Sequence, residues 1–138
     1  MVETQKTKEN RYSGTAVIEA AIIFPLLLLL TLGVIEYGWL FLKAQQITNT
    51  ARQAARIAVR PDATDAEILT AVENMMNSAG LPTYNVTITS DEIPDRRPAI
   101  TVQIEVQCAD IILIDAPLFL PTPTQLRGTV TMAREGVH

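Results

Sequence analysis

Residues 16–35 read AVIEAAIIFPLLLLLTLGVI, an apolar run interrupted only by Glu19, Pro25, Thr31 and Gly33. A 20-residue helix rising 1.5 Å per residue is about 30 Å long, which matches the hydrocarbon core of a bilayer. The apolar character continues to Leu42 through Tyr37 and Trp39, an aromatic pair typical of the membrane–water interface. The pattern predicts a transmembrane helix over residues 15–42.

Two other structures would also explain an apolar run near the N-terminus. The first is a buried helix of a soluble domain, but the 96 residues that follow Leu42 are too few to cover so apolar a helix on every side. The second is a cleaved secretory signal, whose basic N-terminal region is present here. Its apolar core is usually only about 7–15 residues long, and no clear A-x-A cleavage site follows the leucines.

The charge and cysteine content exclude several classes of protein. The 138-residue chain has a formal net charge of −4, and the part that follows the first 14 residues is acidic, which argues against nucleic-acid binding. Cys108 is the only cysteine, so no internal disulfide can form. Basic residues flank both ends of the apolar run, so charge alone leaves the membrane orientation open.

Two residues inside the run, and the glutamate that directly follows it, need a physical explanation. Glu19 lies four residues into the run, where an unpaired carboxylate is costly unless it is protonated, close to the interface or paired with a cation. Pro25 removes one backbone donor and is expected to kink or loosen the helix. Glu36 lies beside Tyr37 at the far end, and we expect it to be solvated there.

The stretch Gly14-Thr-Ala-Val-Ile-Glu19 is similar to a type IV prepilin junction, with a short charged leader before the glycine. The longer string from Gly14 through the leucine run to Gly38, together with the Ala/Arg-rich stretch Gln45–Arg56, resembles the TadE-like family. Members of that family are pseudopilin-like proteins of tight-adherence (Flp-type) pilus systems. The ending Leu126–Glu135 fits the family more modestly.

The resemblance implies cleavage after Gly14 by a prepilin peptidase, which leaves Thr15 as the new N-terminus. It further implies a cytoplasmic leader over residues 1–14 and an extracytoplasmic domain over residues 43–138, attached to the inner membrane. In this setting the Glu19 carboxylate could neutralise the α-amino group of Thr15 on a neighbouring subunit. The implied partners are other pilins or pseudopilins, the prepilin peptidase and the pilus assembly machinery.

The region after the membrane run predicts a small α+β domain. Residues 43–60 stay helical in pattern, with alanines 51, 54, 55 and 58 permitting close approach and Arg52, Arg56 and Arg60 forming a basic stripe. This stripe faces either solvent or an acidic partner or lipid. Pro61 ends the helix, and the capping box Thr64-x-x-Glu67 predicts a second helix that ends near Gly80.

Three strands are expected after the second helix. The segments 84–89 and 126–132 have strand character, and residues 100–107 alternate most clearly, with Ile100, Val102, Ile104 and Val106 on one face. The acidic, proline-containing stretch 91–98 suggests a hairpin loop. A small antiparallel sheet packed on the helices is the simplest architecture.

Residues 111–120 are apolar but too short to span a bilayer, so we expect them to cover the sheet, with partner docking or a dip into the membrane surface as alternatives.

The sequence offers no combination of residues typical of a catalytic site. His138 is the only histidine, which excludes a Ser-His-Asp triad, a Cys-His pair and a mixed histidine/cysteine zinc site built around an internal histidine. No glycine-rich phosphate loop is present, and no cofactor is expected. We therefore expect a non-enzymatic minor pseudopilin or assembly component of a tight-adherence pilus. The alternative is an unprocessed single-pass adaptor that tethers a partner.

Overall fold

The computed structural model of the chain describes residues 9–91, 99–114 and 121–134. Two helices, α1 (Glu9–Ala58) and α2 (Asp65–Ser78), precede strand β1 (Asn85–Asp91). Strand β2 (Ala99–Gln107), a single 3₁₀ turn (Cys108–Asp110) and strand β3 (Gln125–Ala133) follow. The predicted α+β class, with a long apolar N-terminal helix, a second short helix and a three-stranded antiparallel sheet, is confirmed.

Helix α1 has two halves with different surroundings. In residues 14–35, the anchor half, no side chain is buried, and the helix continues through Pro25. In residues 36–58, the docking half, buried side chains recur every three or four positions along one face, from Glu36 and Leu40 to Ala58. Among the described residues, α1 is the one helix long and apolar enough to cross a membrane.

Helix α2 begins and ends where its sequence signals predict. Thr64 has an extended backbone, and its hydroxyl accepts a hydrogen bond from the Glu67 amide at 3.3 Å, the N-cap expected from the capping box. Gly80 follows the helix with φ of +67°, a conformation that glycine adopts at little cost. Ile68, Val72 and Met76 form the buried stripe of α2, which packs against α1.

The sheet has the order β1-β2-β3, and both pairs are antiparallel. The alternation predicted for the central strand is confirmed, since Ile100, Val102, Ile104 and Val106 are all buried. Together with the alanines of the docking half and the buried stripe of α2 they form one hydrophobic core. The opposite face of the sheet is polar, with Thr101 and Thr131 hydroxyls 2.8 Å apart across β2 and β3.

Gly128 permits the closest approach between the sheet and α1. A Cβ atom at this position would lie 2.9 Å from Ile47 Cγ2 and 3.1 Å from the α1 backbone. Because ordinary carbon contacts are about 3.5–4.0 Å, any larger residue would push β3 away from the helix. A glycine within a strand marks this kind of close backbone approach.

The strand predictions agree with the structure to within two residues at each end. The predicted hairpin loop falls mostly on residues 92–98, and much of the predicted apolar cover falls on residues 115–120, both outside the described residues. Of that cover, Ile111 does belong to the core, whereas Leu113 is exposed.

Candidate functional site

Four residues at the start of the docking half tie α1 to distant parts of the domain. Glu36, Tyr37, Trp39 and Lys43, which we term the collar, lie within two turns of helix, immediately after the anchor half. Each makes a hydrogen bond to backbone more than 30 residues away. The collar therefore fixes where the domain sits along the helix.

Glu36 is the most deeply buried member of the collar. Its side chain has no exposed surface, and its two carboxylate oxygens accept hydrogen bonds from the amides of Leu113 at 3.2 Å and Ile114 at 2.9 Å. A buried carboxylate is tolerated when backbone donors satisfy it in this way. The expectation that Glu36 is solvated is wrong, because the segment after the 3₁₀ turn folds over it.

The two aromatic members bind carbonyl groups from the same region. The Trp39 indole donates to the Ile111 carbonyl at 2.9 Å, and the Tyr37 hydroxyl donates to the Pro121 carbonyl. Both rings keep an apolar body beside a polar tip, the property that enriches these residues at membrane interfaces. Together with Glu36 they hold the segment Ile111–Ile114 and the residue Pro121 against one side of α1.

Lys43 joins the collar to the second helix. Its ammonium group donates to the carbonyl of Ala79, the C-terminal cap of α2, and lies 4.6 Å from the centre of the Trp39 ring. The C-terminal end of a helix carries partial negative charge, and the last turn of α2 has no basic residue of its own. Lys43 supplies the missing cation from α1, which explains how a lysine can be only 6% exposed.

The residues that the sequence predicts for processing and assembly lie far from the collar. Gly14, Thr15 and Glu19 are exposed on the first turns of the anchor half. Glu19 lies on a shallow apolar groove formed along one face of the helix by Ala16, Ala20, Ile23, Phe24 and Leu27. At 1.5 Å per residue, about 25 Å of helix separates Glu19 from Glu36, so the two acids act independently.

The predicted basic stripe divides into two parts. Arg52 and Arg56 are exposed on the docking half, on the side that faces away from the core. Arg60 instead forms an ion pair with Glu67 in the first turn of α2. Because both partners are about half exposed, this pair contributes little to stability.

Groups that could carry chemistry are sparse in the described part of the chain. No set of three His, Cys, Asp or Glu side chains there is arranged to hold a metal ion. Burial raises the pKa of the Cys108 thiol, which makes it a poorer nucleophile. Burial, and to a lesser extent the negative charge of Glu73, raise the pKa of the Tyr84 hydroxyl.

The collar was not predicted from the sequence, although one signal for it exists. Glu36 and Lys43 are spaced seven residues apart and continue the 3–4 periodicity of Leu40 and Ile47, which places them on the buried face. Charged side chains on the buried face of a helix need hydrogen-bond or ion-pair partners, so this spacing indicates that Glu36 and Lys43 each have one. The identity of those partners depends on tertiary contacts with residues 36–78 positions away, which no local pattern encodes.

The comparisons with known proteins agree with the resemblance seen in the sequence. Residues 14–56 match the family described as TadE-like protein, which is associated with pili as a structural component. The match covers the anchor half and nearly all of the docking half, including the collar, and stops before α2. No curated protein and no solved structure matches the chain. Helix α1 thus carries a segment, residues 14–56, that is similar to the TadE-like family.

Proposed function

We propose that the protein is a membrane-anchored minor pseudopilin or assembly component of a tight-adherence pilus, and that it acts by protein–protein assembly rather than catalysis. The anchor half would lie in the inner membrane, with residues 1–14 in the cytoplasm and the α+β domain outside it. The observation that carries this proposal is the division of α1: its apolar half has no buried side chain, whereas its second half is packed into the domain.

The free energy of burial supports a membrane location for the anchor half. Val17, Phe24 and Leu30 are each about two-thirds exposed, and the large apolar side chains between them are 36–65% exposed. Each large apolar side chain left in water forgoes about 1.5–3 kcal/mol of transfer free energy. A lipid environment, or neighbouring subunits within it, would recover this free energy.

We propose that a prepilin peptidase cleaves between Gly14 and Thr15, and that Glu19 then pairs with the Thr15 α-amino group of a neighbouring pilin or pseudopilin. Gly14 is exposed, and apart from its own helix backbone no atom of the described residues lies within 4 Å of the point that a Cβ atom would occupy there, which is consistent with an accessible junction. The exposure of Glu19 on an apolar helix supports an intermolecular partner, because a carboxylate in lipid is stable only when neutralised.

The mass of the mature N-terminus in isolated membranes tests the processing step. Cleavage predicts a chain that begins at Thr15, and Gly14→Leu is expected to block it without changing the fold of the domain. An intact chain in a strain that makes pili would contradict the processing proposal.

Assembly is tested separately with Glu19→Ala. This variant is expected to stay in the membrane but to lose cross-linking to pilus components. Glu73→Ala, which removes an exposed carboxylate from α2, serves as the matched control. Normal cross-linking of Glu19→Ala would remove the pairing role.

A second candidate is an unprocessed single-pass adaptor that tethers a partner through its sheet or the segment after β2. One observation favours it: α1 begins at Glu9 and passes through Gly14 without a break, so the junction is helical rather than extended. The same N-terminal mass distinguishes the two candidates, since only the adaptor keeps residues 1–14. Co-purification with pilus fibres would then favour the pseudopilin.

A further inference from the structure

The segment Ile111–Ile114 has its backbone donors satisfied although it belongs to no helix or strand. The amides of Ile111 and Ile112 both donate to the Cys108 carbonyl at 3.0 Å. Those of Leu113 and Ile114 donate to the Glu36 carboxylate. All four consecutive N–H groups therefore have a protein acceptor.

In an irregular segment exposed to water, the backbone N–H groups do not each need a protein acceptor, because water molecules accept their hydrogen bonds. In an apolar layer each unsatisfied backbone group costs several kcal/mol, so irregular backbone is tolerated there only where protein groups satisfy it. Here two side chains of α1 satisfy the segment: Glu36 accepts from the Leu113 and Ile114 amides, and Trp39 donates to the Ile111 carbonyl. Pro121, bound by Tyr37, has no N–H group to satisfy.

The side chains at this level of the molecule are apolar on the outside. Leu113 is 53% exposed, and the nearby turns of α1 expose Tyr37, Phe41 and Leu42. Lys43, the first charge after Glu36 on the helix, is turned inward. Along α1, the exposed apolar surface thus continues from the anchor half to Leu42 with no exposed charged residue between Glu19 and Lys43.

We propose that Ile111–Ile114 is a second membrane contact, which lies in the interfacial layer of the bilayer with Leu113 against lipid. This inference rests on the proposed membrane anchoring by α1. Lipid is the favoured occupant, rather than a protein, because the surface is continuous with the anchor half, which lipid already surrounds in that proposal. Asp110 and Asp115 flank the segment in the sequence and would limit its depth to the headgroup region.

The test places a nitroxide label at one of three sites in the full chain, reconstituted into phosphatidylcholine vesicles. Leu113→Cys reports the segment. Leu69→Cys is the matched control, since Leu69 is similarly exposed at 47% but lies ten residues along α2 from the Lys43 contact at Ala79. Leu28→Cys reports the middle of the anchor half. The unsubstituted protein gives the background, because Cys108 is only 1% exposed.

Collision rates with oxygen, which concentrates in lipid, and with a water-soluble nickel complex then give the location of each label. We expect the oxygen-to-nickel ratio at Leu113 to be severalfold higher than at Leu69 and lower than at Leu28. A ratio at Leu113 equal to that at Leu69, with Leu28 in lipid, would overturn this inference and leave the anchor intact. A water-like ratio at Leu28 would overturn the anchor and the inference together.

A label at Leu113 that is shielded from both reagents would show that a partner protein or a second copy covers the segment, and would also overturn the proposal. A measurement without substitution guards against disturbance by the label. Trp39, the only tryptophan, should be quenched more strongly by lipids brominated near the headgroup than by lipids brominated at the chain ends. Quenching by aqueous acrylamide alone would contradict a membrane position for the collar.

Discussion

The two halves of α1 are continuous in backbone and opposite in environment. The anchor half has 22 residues and no buried side chain, whereas the docking half buries small side chains such as Ala51 and Ala55 completely. Large aliphatic residues cover the anchor half, which suits a surrounding of lipid. Alanines line the docking half, which lets α2 and the sheet approach its backbone. One continuous helix therefore has an uncovered half and a packed half, and side-chain size along the helix marks the change from one to the other.

The comparison predicts that truncating a leucine or isoleucine has opposite consequences in the two halves. Ile47→Ala is expected to lower the free energy of unfolding of the domain by about 2–5 kcal/mol, because Ile47 is fully buried between α1 and β3. Leu30→Ala, at a side chain 66% exposed, should leave that free energy unchanged. Denaturant titration of both variants in detergent measures the difference, and equal losses would contradict the division.

A charge placed in each half should separate insertion from folding. Leu28→Arg is expected to disfavour membrane insertion by about 2.5–3.5 kcal/mol, the penalty for arginine near the centre of a transmembrane helix. Gln53→Arg, on the exposed side of the docking half, is the matched control and should insert normally. The fraction of protein that resists alkaline extraction from membranes reports insertion. Full retention of Leu28→Arg would indicate that the anchor half is not in the hydrocarbon layer.

The two glutamates of α1 offer a third contrast. Glu36→Gln replaces one acceptor oxygen with a donor facing the Leu113 or Ile114 amide, so we expect a loss of about 1–3 kcal/mol in domain stability. Glu19→Gln should not change domain stability, since Glu19 contacts no part of the domain core. Hydrogen exchange at the Leu113 and Ile114 amides should accelerate only in Glu36→Gln. Unchanged protection there would contradict the role of the collar.

Replacing a glycine by alanine adds one methyl group, and the expected effect on stability differs in sign between Gly128 and Gly38. Gly128→Ala is expected to cost about 1–3 kcal/mol, because the added Cβ meets the α1 backbone and β3 must move outward. Gly38→Ala adds the same atom where no described residue beyond the helix's own backbone lies within 4 Å, and should stabilise α1 by about 0.5–1 kcal/mol through its higher helix propensity. Thermal unfolding of the two variants, measured side by side, should give shifts of opposite sign.

The smallest expected effect concerns Cys108, which reports whether the domain is closed. Burial raises the pKa of this thiol, so its reactive thiolate forms only at higher pH in the folded chain than in the unfolded chain. Alkylation near neutral pH should therefore be slow in the native protein and rapid after unfolding. The sign for stability follows: unfolding should become easier as pH rises above the ordinary thiol pKa. Rapid alkylation of the native protein would show that the region around the 3₁₀ turn opens locally.

Much of the fold follows from local patterns in the sequence. Periodicity identified both helices and the buried face of β2, and Thr64 and Gly80 marked the ends of α2. These features depend on residues within a few positions of one another, where propensity and capping act. Gly128 was placed in a strand, but its role depends on the α1 backbone 80 residues earlier, which no local pattern reveals.

Less of the candidate site than of the fold could be predicted from the sequence. The family resemblance is confirmed over residues 14–56, while the roles of Gly14, Thr15 and Glu19 stay predictions. The prediction for Glu36 was wrong because burial of a charged residue was judged from its neighbours in sequence. What buries Glu36 is the segment after β2, which arrives through the folding of the sheet.

The absence of a break in α1 also has a mechanical meaning. Because no loop separates the anchor half from the docking half, the domain has no hinge on which to turn independently of the anchor half. The docking half is a lever about 33 Å long, so a 10° change in the tilt of the anchor would carry its far end sideways by about 6 Å. A neighbour that pulls on or tilts the anchor half would thereby move the outer surface of the domain. A force applied to the domain would reach the anchor half in the same way.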